Sequence, residues 1–145
     1  MKLHAHFAEY LGTALITATV VGSGIMAQVL TRDVLLQLFV NTFATVLILA
    51  LAIWLLAPVS GAYFNPAVLL VAFLRKELSA LHLLTFTLVQ AAGAASGAIL
   101  AHALFNRTLI DPSTTSRDGS WLFLSEVVAT AGLIATIFIA SNQGR

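Results

Sequence analysis

The sequence predicts an all-α membrane protein with four transmembrane helices and one re-entrant half-helix between the second and third. Three observations lead there. Of 145 residues, 59% are hydrophobic and 9% charged, whereas a soluble domain carries about 25% charged residues. Four apolar segments, near 7–29, 34–57, 81–105 and 121–141, have the length of about 20 residues that crosses a bilayer core. A fifth, "PAVLLVAFL" at 66–74, makes only about 14 Å of helix, half a membrane.

Each element has its own signals. The first segment follows Lys2 and could imitate a secretory signal, but it exceeds the usual apolar core of about 7–15 residues. No small-x-small cleavage site closes it, and it is read as a retained helix. "TRD" at 31–33 separates it from the second segment, which "APVSG" at 57–61 ends. The half-length segment is opened by Asn65-Pro66 and closed by Arg75 and Lys76, within "RKELS" at 75–79. Between the third and fourth long segments lies "NRTLIDPSTTSRDGS" at 106–120, the one connection long enough for a surface loop. Its Asn106-Arg107-Thr108 triplet fits a glycosylation sequon of a kind common by chance. Trp54, Tyr63 and Trp121 suit anchoring at the membrane–water interface.

Composition excludes several functions. A net charge of +1 offers no basic patch for nucleic acid, and the absence of cysteine removes disulfides and thiolate metal sites. No nucleophile–base spacing or phosphate-binding glycine loop occurs, and His82 and His102 are too far apart to form a helical ligand pair. The chain is therefore expected to be no enzyme and to need no cofactor or metal. If the N-terminus is cytoplasmic, Lys2, Arg75, Lys76 and Arg145 lie inside, and Arg32, Arg107 and Arg117 outside, each of these three near an aspartate. That is a faint positive-inside bias.

An internal repeat is present. Aligning Glu9 with Glu126 sets "EYLGTALITATV" over "EVVATAGLIATI", matching Thr13 with Thr130, Ala14 with Ala131 and Thr19 with Thr136. Apolar helices match easily by accident, but paired acidic residues inside membrane segments do not. Inverted repeats are frequent in transporters and pores, which place their site where the halves meet. An acidic residue in such a helix costs a few kcal/mol on insertion scales, about 2.5–3.5, so each glutamate needs a partner.

A segment that fails to span survives only inside protein or facing a watery cavity, because unpaired backbone groups in hydrocarbon cost several kcal/mol each. Asn65 is a favoured N-cap and Pro66 suits the first helical position. A helix starting near mid-membrane presents about half a positive elementary charge there. That end repels cations, including hydronium, while the Asn65 amide offers donors to a passing oxygen; half-helix dipoles are a selectivity device of this kind. The bland alternative is a turn between two helices. "NPA" by itself occurs by chance in about a few per cent of chains this long, so the short helix, the preceding "SGA" and the glutamate repeat carry the pore reading.

"SGAYFNPAV" resembles the first signature loop of the aquaporin (major intrinsic protein) family, "AEYLGTALI" its first helix and "VQAAGAASGA" its third. The resemblance covers essentially the whole chain. It implies a right-handed six-helix bundle with two re-entrant half-helices, a cytoplasmic N-terminus, and a homo-tetramer in the cell membrane with one pore per subunit. On that basis residues 1–145 form a partial bundle: a first repeat at about 6–105, a loop at 106–120 and the first helix of a second repeat at about 121–141. The motif falls on Asn65, Pro66 and Ala67, and membrane lipid and water or small neutral solutes are the expected partners.

The resemblance also assigns residues. Glu9 and Glu126 would each accept hydrogen bonds from the backbone of a re-entrant loop, and Gln90 would bond a loop. Thr45, 20 positions before Asn65, falls where the family places part of its selectivity ring. A threonine there leaves room for glycerol or a neutral metalloid acid; alternatively its hydroxyl merely bonds the carbonyl one turn back. Gly93 and Gly97 form a small-xxx-small packing face on the third long helix, and Gly12, Gly22 and Gly24 are candidates for the same use on the first.

The sequence departs from the family in ending after the fourth long helix, without a second Asn-Pro-Ala loop. The expectation is a truncated channel form, inactive alone, since one half-helix leaves an unlined cavity. The alternative from another class is a complete four-helix antiporter or scaffold, with Glu9 as its coupling carboxylate.

Overall fold

A computed structural model describes residues 3–111, 116 and 118–143. Among them all regular structure is helical: α1 (Leu3–Leu30), α2 (Val34–Ser60), α3 (Pro66–Leu74), α4 (Ala80–Leu104) and α5 (Ser120–Gln143). Four of the helices are long and apolar enough to cross a membrane, and α3, with 9 residues, is not. The chain divides into two compact units, Met1–Asp111 and Pro112–Arg145.

Local chemistry sets the helix ends. Asp33 caps α2, its carboxylate accepting from Leu35 N at 2.9 Å and Leu36 N at 3.2 Å. Ser79 caps α4 by accepting from His82 N at 3.3 Å. The turn expected at 57–61 requires correction, because α2 continues through Pro58 to Ser60. A proline near a helix end forfeits one backbone bond without forcing termination. The stop comes instead at Gly61, in the left-handed region at φ 97°, whose N–H donates to Ala57 O at 3.0 Å.

In the first unit α1 packs against both α2 and α4, and α3 packs against α4. The α1–α4 seam is close. A methyl group built on Gly93 would sit 2.4 Å from Tyr10 O, and one on Gly97 2.2 Å from Ala14 O. Tyr10 Oη and Ser96 Oγ add a hydrogen bond of 2.8 Å across the same seam. α3 buries Val68, Leu69 and Ala72, with Leu69 wholly enclosed. By contrast α2 buries only Ala52 and turns Leu38, Phe39, Phe43 and Trp54 outward. In a bilayer such side chains meet hydrocarbon as apolar as themselves, so their exposure costs little.

The helix lengths make a compartment prediction. A 9-residue α3 spans about 14 Å, too little to cross, so positions 58 and 78 should lie on one side of the membrane. Because the chain contains no cysteine, single cysteines at Pro58 and Leu78 can be labelled without background. An impermeant maleimide added from one side is expected to label both or neither. Labelling from opposite sides would mean that α3 crosses.

Candidate functional site: a braced loop and its half-helix

The segment between α2 and α3 is held in a conformation it would not adopt alone. Gly61, Ala62 and Phe64 all have positive φ, at 97°, 53° and 49°, and for the two non-glycine residues this costs about 1–2 kcal/mol each. What offsets the cost is Glu9, wholly buried on α1. Its Oε1 accepts from Ser60 Oγ at 2.6 Å and Tyr63 N at 3.1 Å; its Oε2 accepts from Phe64 N at 2.8 Å and Gln90 Nε2 at 2.8 Å. Hydrogen bonds to a charged group contribute about 1.5–3 kcal/mol each, so the three that tie Glu9 to residues 60–64 outweigh the strain. Ser60 Oγ also accepts from Ala62 N at 3.1 Å, tightening the turn from within.

The structure thus joins three sequence-selected positions, Glu9, Gln90 and the loop ahead of Asn65. Gln90 reaches the loop through Glu9 rather than directly. Its amide orientation follows from the carboxylate, which requires the NH2 side; Gln90 Oε1 is left buried with no hydrogen-bond partner among the described residues. Gly12 differs from the small-residue packing expected of it: the Phe64 ring fills its place, with Cε1 only 2.1 Å from where a methyl group would sit. Phe64 is therefore held twice, by its N–H on Glu9 and by its ring over Gly12. Gly93 and Gly97 face backbone of α1, as described above.

Beyond the loop, Asn65 is extended (φ −147°, ψ 125°) and caps α3, its Oδ1 accepting from Ala67 N at 2.8 Å. Pro66 occupies the first helical position. With Oδ1 engaged, the Asn65 NH2 carries no hydrogen bond among the described residues. Both of its N–H groups stand at the positive end of a short helix. Thr45 on α2 is half-buried and donates to Asn41 O at 2.7 Å, which is the local bond one turn back. Tyr63, grouped by sequence with the interface anchors, is half-buried in the loop with its ring 6.4 Å from Phe86. Glu126 is exposed on α5 beside Leu122 and Phe123.

Sequence reasoning passed over Ser23 and Asn41, and gave Ser60 and Phe64 no role of their own within the signature loop. Asn41 Nδ2 donates to Val20 O at 2.7 Å and to Ser23 Oγ at 3.0 Å, across the α1–α2 interface. One signal was available for it. Gln37, Asn41 and Thr45 recur every fourth position on a mostly apolar helix, the spacing that shares a face.

Full-length spans, a half-helix starting at a half-buried cap, and a carboxylate bracing the strained approach to it define a multi-pass membrane protein with a re-entrant loop. Its family follows from comparison with known proteins. The chain belongs to the major intrinsic protein family, whose profile matches residues 1–145. It is 48% identical over 130 residues to aquaglyceroporin AqpS of Rhizobium meliloti (strain 1021), covering 90% of this chain. It is 34% identical over 98 residues, 68% of this chain, to the propanediol uptake facilitator PduF of Citrobacter freundii. To aquaporin-1 of Botryotinia fuckeliana (strain B05.10) it is 31% identical over 93 residues, 62% of this chain. The matched regions span 56%, 36% and 20% of those three proteins, so the chain corresponds to about half of the first. No solved structure gives a significant match.

Proposed function

We propose that this chain forms the first-repeat wall of a channel through which water and small neutral solutes of the glycerol type cross the membrane passively. One observation carries the reading. Asn65 uses its carbonyl oxygen to cap α3 and keeps its NH2 for a solute oxygen, at a helix end whose field opposes cations. The names of the two relatives at 48% and 34% identity, an aquaglyceroporin and a propanediol uptake facilitator, favour a polyol-sized solute. A neutral metalloid acid is of the same size class.

Within this reading Asn65, Pro66 and Ala67 form the first pore motif and Thr45 supplies one wall of the narrowest point. Glu9 and Gln90 support the first loop, Glu126 supports a second loop, and the channel assembles as a homo-tetramer. The antiporter alternative gains no support from Glu9. A coupling carboxylate must exchange its ion with water, whereas this one is wholly enclosed and already accepts four hydrogen bonds.

The test is a graft. This chain replaces the matching 130-residue stretch of the Rhizobium meliloti relative, and glycerol-driven swelling of proteoliposomes is followed by light scattering. The graft is expected to pass glycerol, and the 145-residue chain alone is not. Asn65→Asp keeps the capping oxygen but replaces the donor, so flux should fall about tenfold or more, the factor that about 1–3 kcal/mol of unmade hydrogen bonding costs. Helix content should stay unchanged. An impermeable graft, or undiminished flux with aspartate at 65, would overturn the reading.

A further inference from the structure

We infer that Asn41 is a positioning residue: it fixes the rotation of α2 about α1 and thereby keeps Thr45 turned toward the solute path. The inference rests on the proposed place of Thr45 in the channel wall. α2 is tied at its start by Gln37 and at its end by Ser60, which donates to Glu9, but between those ends it buries a single residue, Ala52, and Asn41 makes the only side-chain hydrogen bonds to another helix among the described residues. Apolar packing in lipid lacks the hydrophobic force that would orient such a helix in water, which leaves hydrogen bonds and close packing to do so.

Asn41 supplies two of those bonds. Its amide spans to Val20 O and Ser23 Oγ on α1, while Ser23 Oγ itself donates to Val20 O at 3.2 Å. Gly24 lies alongside, where an added methyl group would only touch Asn41 Nδ2 at an ordinary contact distance of 3.5 Å. Above this clamp, Gln37 Nε2 donates to Thr31 O at 2.7 Å and ties the start of α2 to the connecting turn. One turn below it, Thr45 is joined to Asn41 by its own hydroxyl, 2.7 Å from Asn41 O. Residues four apart share a helix face, so the angle at which Asn41 meets α1 sets the direction in which Thr45 looks. Removing the side-chain amide leaves the middle of α2 with no polar tie to α1, so that the stretch around Thr45 can turn between the helix's two anchored ends.

The cysteine-free chain permits a direct reading in proteoliposomes. Thr45→Cys is expected to react with a small hydrophilic thiol reagent, whereas Val46→Cys and Leu47→Cys, which face outward, react slowly. Adding Asn41→Leu should lower the rate at 45 by about five- to tenfold, the population shift that two interhelical bonds of average strength support. Position 46 or 47 should gain. Ser23→Ala, which removes one acceptor and disturbs the fold less, should give a smaller change in the same direction. An unreactive cysteine at 45 in the otherwise unaltered chain would refute the placement of Thr45 itself. A reactive cysteine at 45 whose rate is unchanged by both Asn41→Leu and Ser23→Ala would refute the role of Asn41 and leave that placement standing. If Asn41→Leu fails to insert, the Ser23→Ala comparison decides alone.

Discussion

Glu9→Ala is expected to release the loop at 61–65 while leaving the long helices in place. The substitution strands four donors, Ser60 Oγ, Tyr63 N, Phe64 N and Gln90 Nε2, three of them on or beside a segment with two non-glycine residues at positive φ. Leaving a buried donor unpaired costs about 1–3 kcal/mol, so losing all four exceeds what the strained turn can tolerate, and Ala62 and Phe64 relax. Glu9→Gln separates charge from shape. It retains one acceptor oxygen but points an NH2 at groups that are themselves donors, so two donors lose their acceptor at about 1–3 kcal/mol each. A cysteine at Tyr63 reports the outcome: half-buried in the unaltered protein, it should react faster with either substitution. Denaturation in mixed micelles gives the energy. An unchanged reactivity at position 63 would show that the loop keeps its shape without the carboxylate.

Gly97→Val should separate α1 from α4. A Cβ at this position would lie 2.2 Å from Ala14 O and 3.0 Å from Ala14 C, and backbone cannot swing aside as a side chain can. Overpacking commonly costs about 1–3 kcal/mol and more where nothing can give; a branched side chain against backbone belongs to the upper end. The loss should spread to Glu9, since the same seam holds α1 against the helix bearing Gln90. Gly132→Ala on α5 is the control, with open space around the added methyl and a gain of about 0.8–1 kcal/mol in helix propensity. Thermal melting in detergent is expected to rank the control at or above the unaltered protein and Gly97→Val well below it. Equal melting of all three would mean that the seam is not tight.

Helix number, the half-length of α3 and its starting point were legible because they depend on local chemistry: run length against bilayer thickness, and an Asn-Pro pair that caps and starts a helix. The need for Glu9 to have partners was legible too, from the cost of a carboxylate in hydrocarbon. Their identity was not. Ser60 and Tyr63 lie more than 50 positions away in the chain, and Gln90 lies 81 away. The end of α2 was misplaced because proline reads locally as a stop, whereas the cap three residues later decides.

Gly12 shows the limit most plainly. Sequence marks a small residue on a helix but cannot say whether a neighbouring backbone or an aromatic ring will use the space; the Phe64 ring does. Asn41 is similar, since an amide in a mostly apolar span announces a partner without naming it. The sequence by itself determined that this is a membrane protein of four full spans and a capped half-helix, because those properties follow from run length and nearest-neighbour capping. Which donors converge on Glu9, what fills the space over Gly12 and which way α2 faces were decided only by tertiary structure. Each depends on the angle and distance at which helices remote in sequence meet; local spacing can mark a polar face such as Gln37, Asn41 and Thr45 but not the helix it meets.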